Sequence, residues 1–234
     1  MIDVSKIVSK DERVSVWFVV IVAVFVTSLI TANIIAVKLA QVGGIVFPAA
    51  VVIFPVSYIF GDVLTEVYGY RRARLVIWLG FLCNLLAVAA IWLAQVLPAA
   101  SFWQGQDAFV QILGYTPRLL LASFLAYLLG EFANSFVLAK MKIATRGKWL
   151  WARTIASTLV GEGFDSIIFI CVAFAGTIPA SGLASAIVTQ WLMKSLYEAL
   201  ATPLTYGVVN FLKKVEGLDV FDRDTDFNPL KVAG

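Results

Sequence analysis

In the stretch Phe60-Gly61-Asp62-Val63-Leu64-Thr65-Glu66-Val67-Tyr68-Gly69-Tyr70-Arg71-Arg72, two carboxylates stand four residues apart and so share one face of a helix. They close an apolar run that begins near Pro48 and is long enough to be read as a membrane span. A second pair, Glu162 and Asp165, interrupts another apolar run, and Glu131 and Glu198 interrupt two more. Soluble domains rarely bury so many acids, and membrane spans hold them where something polar is bound or moved. The expectation is a polar solute site inside a helical membrane bundle.

The composition around these acids belongs to a membrane protein. Of 234 residues, 61% are hydrophobic and 14% charged, and the mean hydropathy of +0.90 lies outside the range of a soluble globular domain. Apolar runs able to cross a ~30 Å hydrocarbon core as helices of ~20 residues number about six, which leaves no room for a soluble domain. The expected fold is all-α, a polytopic bundle of six transmembrane helices over residues 1–215, followed by a cytoplasmic tail over 216–234. The spans are expected near 16–37, 47–67, 75–97, 119–139, 155–175 and 185–211. Pro55 and Pro203 fall inside the second and sixth and predict kinks, because proline lacks the amide hydrogen that a helix interior uses. Residues 107–113, with Phe102, Trp103 and Tyr115 around them, predict a short interfacial helix in the one long external connection. The polar, Asp-rich tail from Glu216 is expected to be loosely ordered.

Orientation follows from the basic residues. One side collects Lys6, Lys10 and Arg13, then Arg71, Arg72 and Arg74, then five Lys and Arg residues between 140 and 153, then Lys213, Lys214, Arg223 and Lys231. That is fifteen of the 18, and it puts both termini in the cytoplasm. The net charge of +3 therefore describes a basic inner face toward anionic lipid, and no nucleic-acid partner is expected. A faint internal echo relates Gly61-Asp62 with Glu66 to Gly161-Glu162 with Asp165, about 100 residues on, as in inverted-repeat carriers.

Several function classes are excluded or disfavoured. With no histidine in the chain, the commonest metal ligand and proton relay is missing, and Cys83 and Cys171 both lie in apolar runs. No metal, cofactor or disulfide framework is expected. Zincin, serine-hydrolase and phosphate-loop signatures are missing, so neither a catalytic residue nor ATP hydrolysis by this chain is expected. What is left is a secondary carrier, a facilitator, or the membrane subunit of something larger.

The candidate site collects the intramembrane polar groups. Asp62, Glu66, Glu131, Glu162, Asp165 and Glu198 face one clearly intramembrane cation, Lys194, with Asn134 beside Glu131 in sequence. At ~2.5–3.5 kcal/mol for each charge at mid-membrane, six unpaired carboxylates cost roughly 15–20 kcal/mol, which exceeds typical fold stability. Some must then be protonated, some hydrated in a cavity, and some paired with Lys194 or with donors of a ligand. Structural readings stand beside this one. Asn33, Asn84, Ser135 and Ser166 suit interhelical hydrogen bonds, Lys194 and Glu198 suit an ion pair four residues apart, and Glu66 can reach the inner interface beside Arg71.

Asn33-Ile-Ile-Ala-Val-Lys38, the Gly61-Asp62 to Tyr70-Arg71 run, Thr116-Pro117-Arg118, Gly147-Lys148-Trp149-Leu150, Arg153 with Ser157-Thr158, and Asp165-Ser166 together resemble the YhhQ or VUT family of queuosine-precursor transporters. The resemblance spans nearly the whole chain. It implies a bacterial inner-membrane importer of 7-cyano-7-deazaguanine and its 7-aminomethyl relative, with the lipid bilayer and the small-molecule base as partners. Protons and a second copy of the chain, as a homodimer, stand as candidate partners. A carboxylate can accept from the ring amide and exocyclic amine of such a base at once, Asn or Lys can donate to its carbonyl, and Phe or Tyr can stack on the ring. On this reading one of Glu131, Glu162 and Asp165 clamps the donor edge, Asn134 or Lys194 reads the carbonyl, and Asp62 and Glu66 gate the cytoplasmic mouth. The rivals are a substrate-binding subunit that needs separate ATPase partners and a non-transporting membrane scaffold.

Overall fold

The computed structural model describes residues 15–42, 45–114, 117–177 and 179–231. Ser15 opens the first helix, α1 (Val16–Ile35), its hydroxyl accepting from the Phe18 amide at 3.0 Å. An antiparallel hairpin follows, β1 (Leu39–Val42) and β2 (Ile45–Pro48), with Leu39 opposite Pro48. A 3₁₀ turn at Ala49–Val52 leads into α2 (Phe54–Tyr68), which is followed by α3 (Tyr70–Val96) and the short α4 (Gln106–Leu113). Three long helices complete the described chain: α5 (Pro117–Ala144), α6 (Leu150–Phe174) and α7 (Ala180–Glu216).

The architecture is helical, and the second and sixth of the expected spans depart from expectation. The run expected as an unbroken helix over 47–67 begins as strand and 3₁₀ turn, because Ile45, Val46 and Phe47 are β-branched or aromatic and favour the extended backbone. Pro55 consequently falls in the first turn of α2, where its missing amide hydrogen costs no intrahelical bond, and it is not the mid-span residue the sequence suggested. Among the described residues four helical segments are long and apolar enough to cross a membrane: α1, α3, the segment ending in α5, and α6. At 15 residues α2 falls below the ~20 that a span needs, and α7 has the length but carries more polar residues on its way.

α2 is the axis of the bundle. It packs on α1, α3, α5 and α7, and its Val63, Leu64 and Val67 lie in the buried apolar core with Ile21, Phe25, Val76 and Val209. Leucines and tryptophans of the outer helices face outward, Leu86 and Leu200 among the most exposed, as expected of a surface that meets lipid rather than water. Polar contacts pin helix to helix inside. Asn33 donates to Asn84 at 2.9 Å between α1 and α3, and Thr65 donates to Ser135 at 3.0 Å between α2 and α5. The same expectation for Ser166 is not met, since its hydroxyl is buried without a partner.

The closest helix pair is α5 with α6, and two glycines make that approach. A Cβ on Gly161 would lie 2.7 Å from the Asn134 Cβ and 2.9 Å from the Gly130 carbonyl oxygen, while one on Gly130 would lie 3.1 Å from both the Asp165 Cβ and the Gly161 carbonyl. Small residues facing one another allow membrane helices to touch along their backbones. They also set Asn134 of α5 against Gly161 and Asp165 of α6 against Gly130, at successive levels of the seam.

The C-terminal segment is ordered, against expectation. Val220 donates its amide to Val67, and the Asp222 carboxylate caps α3 by accepting from the Tyr70 amide at 3.0 and 3.1 Å. Arg74 donates to the carbonyls of Asp226 and Asn228, and Trp78 to that of Pro229. The Phe227 ring lies against Tyr70 and Phe136 with the Lys140 ammonium 3.9 Å from its centroid. Two acids of the tail are thus partners of helix ends, Asp219 of Lys142 and Lys213 and Asp222 of the first amide of α3, and Gly69, at φ +83°, leaves the room that Val220 fills.

Two outcomes follow. Gly161→Ala must push α5 from α6, and a loss of ~1–3 kcal/mol is expected, read as a lower melting temperature of the detergent-purified protein. Asp219 beside α7 is partly buried, which alone raises its carboxyl, yet hydrogen bonds from Lys142 and Lys213 hold it below the ordinary carboxylate range. A carboxyl depressed on folding stabilises above its unfolded value, ~3.9, and that contribution fades as pH falls through the lower folded value. The melting-temperature difference between the native chain and Asp219→Asn should therefore be steady at neutral pH and shrink below pH ~4.

Candidate functional site

One stripe of α2 carries Tyr58, Asp62 and Glu66 at intervals of four residues. Glu66 has no solvent exposure and lies in a closed ion network. Arg153 of α6 donates to both its oxygens, Nε at 3.0 Å and Nη2 at 2.6 Å, a bidentate pair, and Lys213 of α7 donates at 2.6 Å. Lys142 of α5 donates to the Glu66 carbonyl and to that of Val220, and both lysines reach Asp219, at 2.6 and 2.9 Å. The structure therefore surrounds Glu66 with cations from three helices, away from Arg71, and leaves it no oxygen free for a solute.

One turn along, Asp62 is 1% exposed and has a different environment. Asn134 donates to its Oδ1 at 2.9 Å, and its Oδ2 has no partner. A carboxylate cannot donate, so the Asn134 nitrogen must face Asp62 and the Asn134 Oδ1 must face elsewhere. That oxygen too is buried and unpartnered. Glu131 comes close to α2 from the same helix, its Oε2 3.4 Å from where a Gly61 Cβ would stand.

From α6 and α7 come the remaining members. Lys194 pairs with Asp165 and lies 3.0 Å from the Glu162 Oε2. The expected ion pair of Lys194 with Glu198 is not formed, because the lysine turns to α6 instead. Glu198 is 2% exposed, and its Oε2 has no partner. Gln190 approaches Asp165 at 3.5 Å from the same side of α7. The helices thus bring together seven of the eight residues expected from the sequence: Asp62, Glu131, Asn134, Glu162, Asp165, Lys194 and Glu198. Glu66 is the one they keep apart.

The cluster also holds residues that the sequence reading did not single out. Tyr58 interacts electrostatically with Glu162, Lys194, Asp165 and Glu198 at once. Its ring stacks on Phe54 with centroids 5.9 Å apart and planes 15° from parallel, and the Lys194 ammonium is 5.9 Å from the Phe54 centroid. Ser195 and Ser166 add buried hydroxyls without partners, three residues from Glu198 and four from Glu162 on their helices. The four-residue step from Asp62 back to Tyr58 was the available signal.

Of the eight buried side-chain atoms without a hydrogen-bond partner among the described residues, six belong to this cluster: Asp62 Oδ2, Asn134 Oδ1, Ser166 Oγ, Ser195 Oγ, Glu198 Oε2 and Glu162 Oε2, the last of which has the Lys194 ammonium 3.0 Å away as an ion pair. Buried polar atoms are normally satisfied, at a cost of ~1–3 kcal/mol each when they are not. Four of the six are carbonyl or carboxyl oxygens, so the arrangement is suited to receive hydrogen-bond donors. A flat aromatic pair beside it is suited to a ring.

Comparison with known proteins adds a family. Residues 48–208 match the family described as "Putative vitamin uptake transporter". A Bacillus subtilis protein named "Probable queuosine precursor transporter" is 29% identical over 188 residues, 80% of this chain and 82% of the relative. The Escherichia coli "Queuosine precursor transporter" is 27% identical over 52% of each chain. A Haemophilus influenzae protein with the same "Probable" name is 24% identical over 67% of this chain and 65% of its own. No solved structure matches the chain.

The Glu66 network yields a sharp expectation. Glu66→Gln leaves Arg153 buried without its counter-charge, and breaking a buried pair from one side costs ~3–5 kcal/mol. Thermal unfolding in detergent should show the loss in the apo protein, before any solute is added. An unchanged melting temperature would contradict the structural role given to Glu66.

Proposed function

This chain belongs to the vitamin uptake transporter family, and on that premise we propose that it imports queuosine precursors, 7-deazaguanine bases, across a bacterial inner membrane as a secondary carrier or facilitator. The observation that carries the reading is the set of unpartnered buried oxygens between α2, α5, α6 and α7, beside the Phe54–Tyr58 pair. A deazaguanine offers its ring amide and exocyclic amine as adjacent donors, and a carboxyl group accepts both. One carboxyl among Asp62, Glu162 and Glu198 is the acceptor for that edge. The Asn134 amide keeps a second N–H beside its bond to Asp62, and the Lys194 ammonium a third beside its two acids, so either can address the base carbonyl, and the ring lies on Phe54 and Tyr58. The names of the relatives support the substrate class.

The reading includes six crossings, with α2 and α7 joining the four apolar segments. Along α7 the polar residues Lys194, Ser195, Glu198 and Thr202 turn inward, whereas Leu192, Leu196, Leu200 and Leu204 are more than half exposed. An outward face of leucines is what lipid requires of a span whose inner face lines a site. Likewise, α2 extended by its 3₁₀ turn reaches ~30 Å, the thickness of the hydrocarbon core. With six crossings the basic helix ends and both termini are cytoplasmic. Residues 1–215 then form the transport domain, with 216–234 as a cytoplasmic strap.

Uptake tests this directly. Purified protein in proteoliposomes, with no other polypeptide, should accumulate or equilibrate labelled 7-deazaguanine bases in preference to guanine. Glu162→Gln and Asp62→Asn should each lower that uptake at least about tenfold, as expected when a charge-assisted contact of ~1.5–3 kcal/mol is removed. Uptake that appears only when ATPase subunits are added would favour a membrane subunit of a larger machine. Absence of any base uptake or binding by folded protein would refute the proposal.

A further inference from the structure

Lys194 is the cation that the described residues supply to the central cluster, and two acids already engage it, Asp165 and Glu162. Asp62, Glu131 and Glu198 have no cationic partner among the described residues, and Asp62 is held only by the neutral Asn134 amide. Asp62 and Glu198 are also 1% and 2% exposed, and each aims an unpartnered oxygen into the protein. With these carboxyls ionised, the cluster is short of positive charge as well as of donors. Nothing comparable holds at Glu66, where Arg153, Lys142 and Lys213 more than balance the acids.

The form of the missing charge can be narrowed. Among the described residues no three acidic or thiol side chains are close enough together to ligate a metal ion. The Phe54–Tyr58 pair flanks the cluster on the Lys194 side. An aromatic ring that carries an ammonium group answers both features, because the ring can lie on the pair while the ammonium supplies three donors and one charge to the free oxygens. A nitrile in the same position brings another acceptor to a site crowded with acceptors.

We propose, resting on the transport reading above, that the cluster takes its substrate as a cation, with Asp62 and Glu198 receiving the ammonium group. Of the two 7-deazaguanine bases, the aminomethyl form is then preferred over the cyano form.

The experiment is calorimetric titration of the purified full chain with 7-aminomethyl-7-deazaguanine and 7-cyano-7-deazaguanine, whose rings are the same and whose substituents differ in charge. The aminomethyl base should bind tighter by about tenfold or more, the effect of one charge-assisted contact. Asp62→Asn and Glu198→Gln, close to isosteric, should weaken the aminomethyl base more than the cyano base and bring the ratio toward one. The native ratio decides alone where a variant does not fold. Equal or tighter binding of the cyano base overturns the cationic substrate and leaves the transport reading standing. A ratio unmoved in both folded variants overturns the roles of Asp62 and Glu198. Binding of neither base overturns the transport reading and this proposal with it.

Discussion

Glu66 accepts from Arg153 and Lys213 with no exposure to solvent, and the seating of α2 follows from that interaction. A buried carboxylate is tolerable only where opposite charge meets it, so α2 has little freedom to slide against α6 and α7 without breaking the pair. Once Glu66 is fixed, Asp62 and Tyr58 follow on the same face at one-turn intervals, and the Asp62 side chain meets Asn134 of α5. The C-terminal strap closes the network from outside. Its Asp219 shares Lys142 and Lys213 with Glu66, and its Val220 bonds the last turn of α2.

Two acid clusters sit a single helical turn apart and obey opposite rules. Around Glu66 the cations saturate the carboxylate, which is how a protein builds a rigid joint. Around Asp62, Glu162 and Glu198 the acceptors outnumber the donors, a state that is costly at rest and that ligand donors would relieve. Differential satisfaction of this kind is how binding energy becomes available to a carrier, because the empty site is less stable than the filled one. The glycine seam of α5 and α6 lets the two backbones approach, with Asn134 against Gly161 and Asp165 against Gly130.

Much of this was legible in the sequence, for a physical reason. Acids within apolar runs are so unfavourable that their positions alone suggest a polar cluster, and five of the six do converge, Glu66 being the exception. Glu66 could not be separated from them by sequence, because its partners Arg153 and Lys213 lie 87 and 147 residues away. The same distance effect hid the pairing of Lys194 with α6, where local spacing favoured Glu198. The tail was misjudged since composition alone cannot show that its acids meet the basic ends of α3, α5 and α7. The hairpin was missed because an apolar run of β-branched residues reads equally as strand or span until its neighbours are known.

The central claim is that the unsatisfied cluster is the solute site. A structure of the protein determined with a 7-deazaguanine base bound tests it most directly. The ring should lie beside Phe54 and Tyr58, its donor edge within hydrogen-bond distance of carboxyl oxygens from Asp62, Glu162 or Glu198, with Glu66 still held by Arg153. A base bound elsewhere, with these oxygens unchanged, would contradict it.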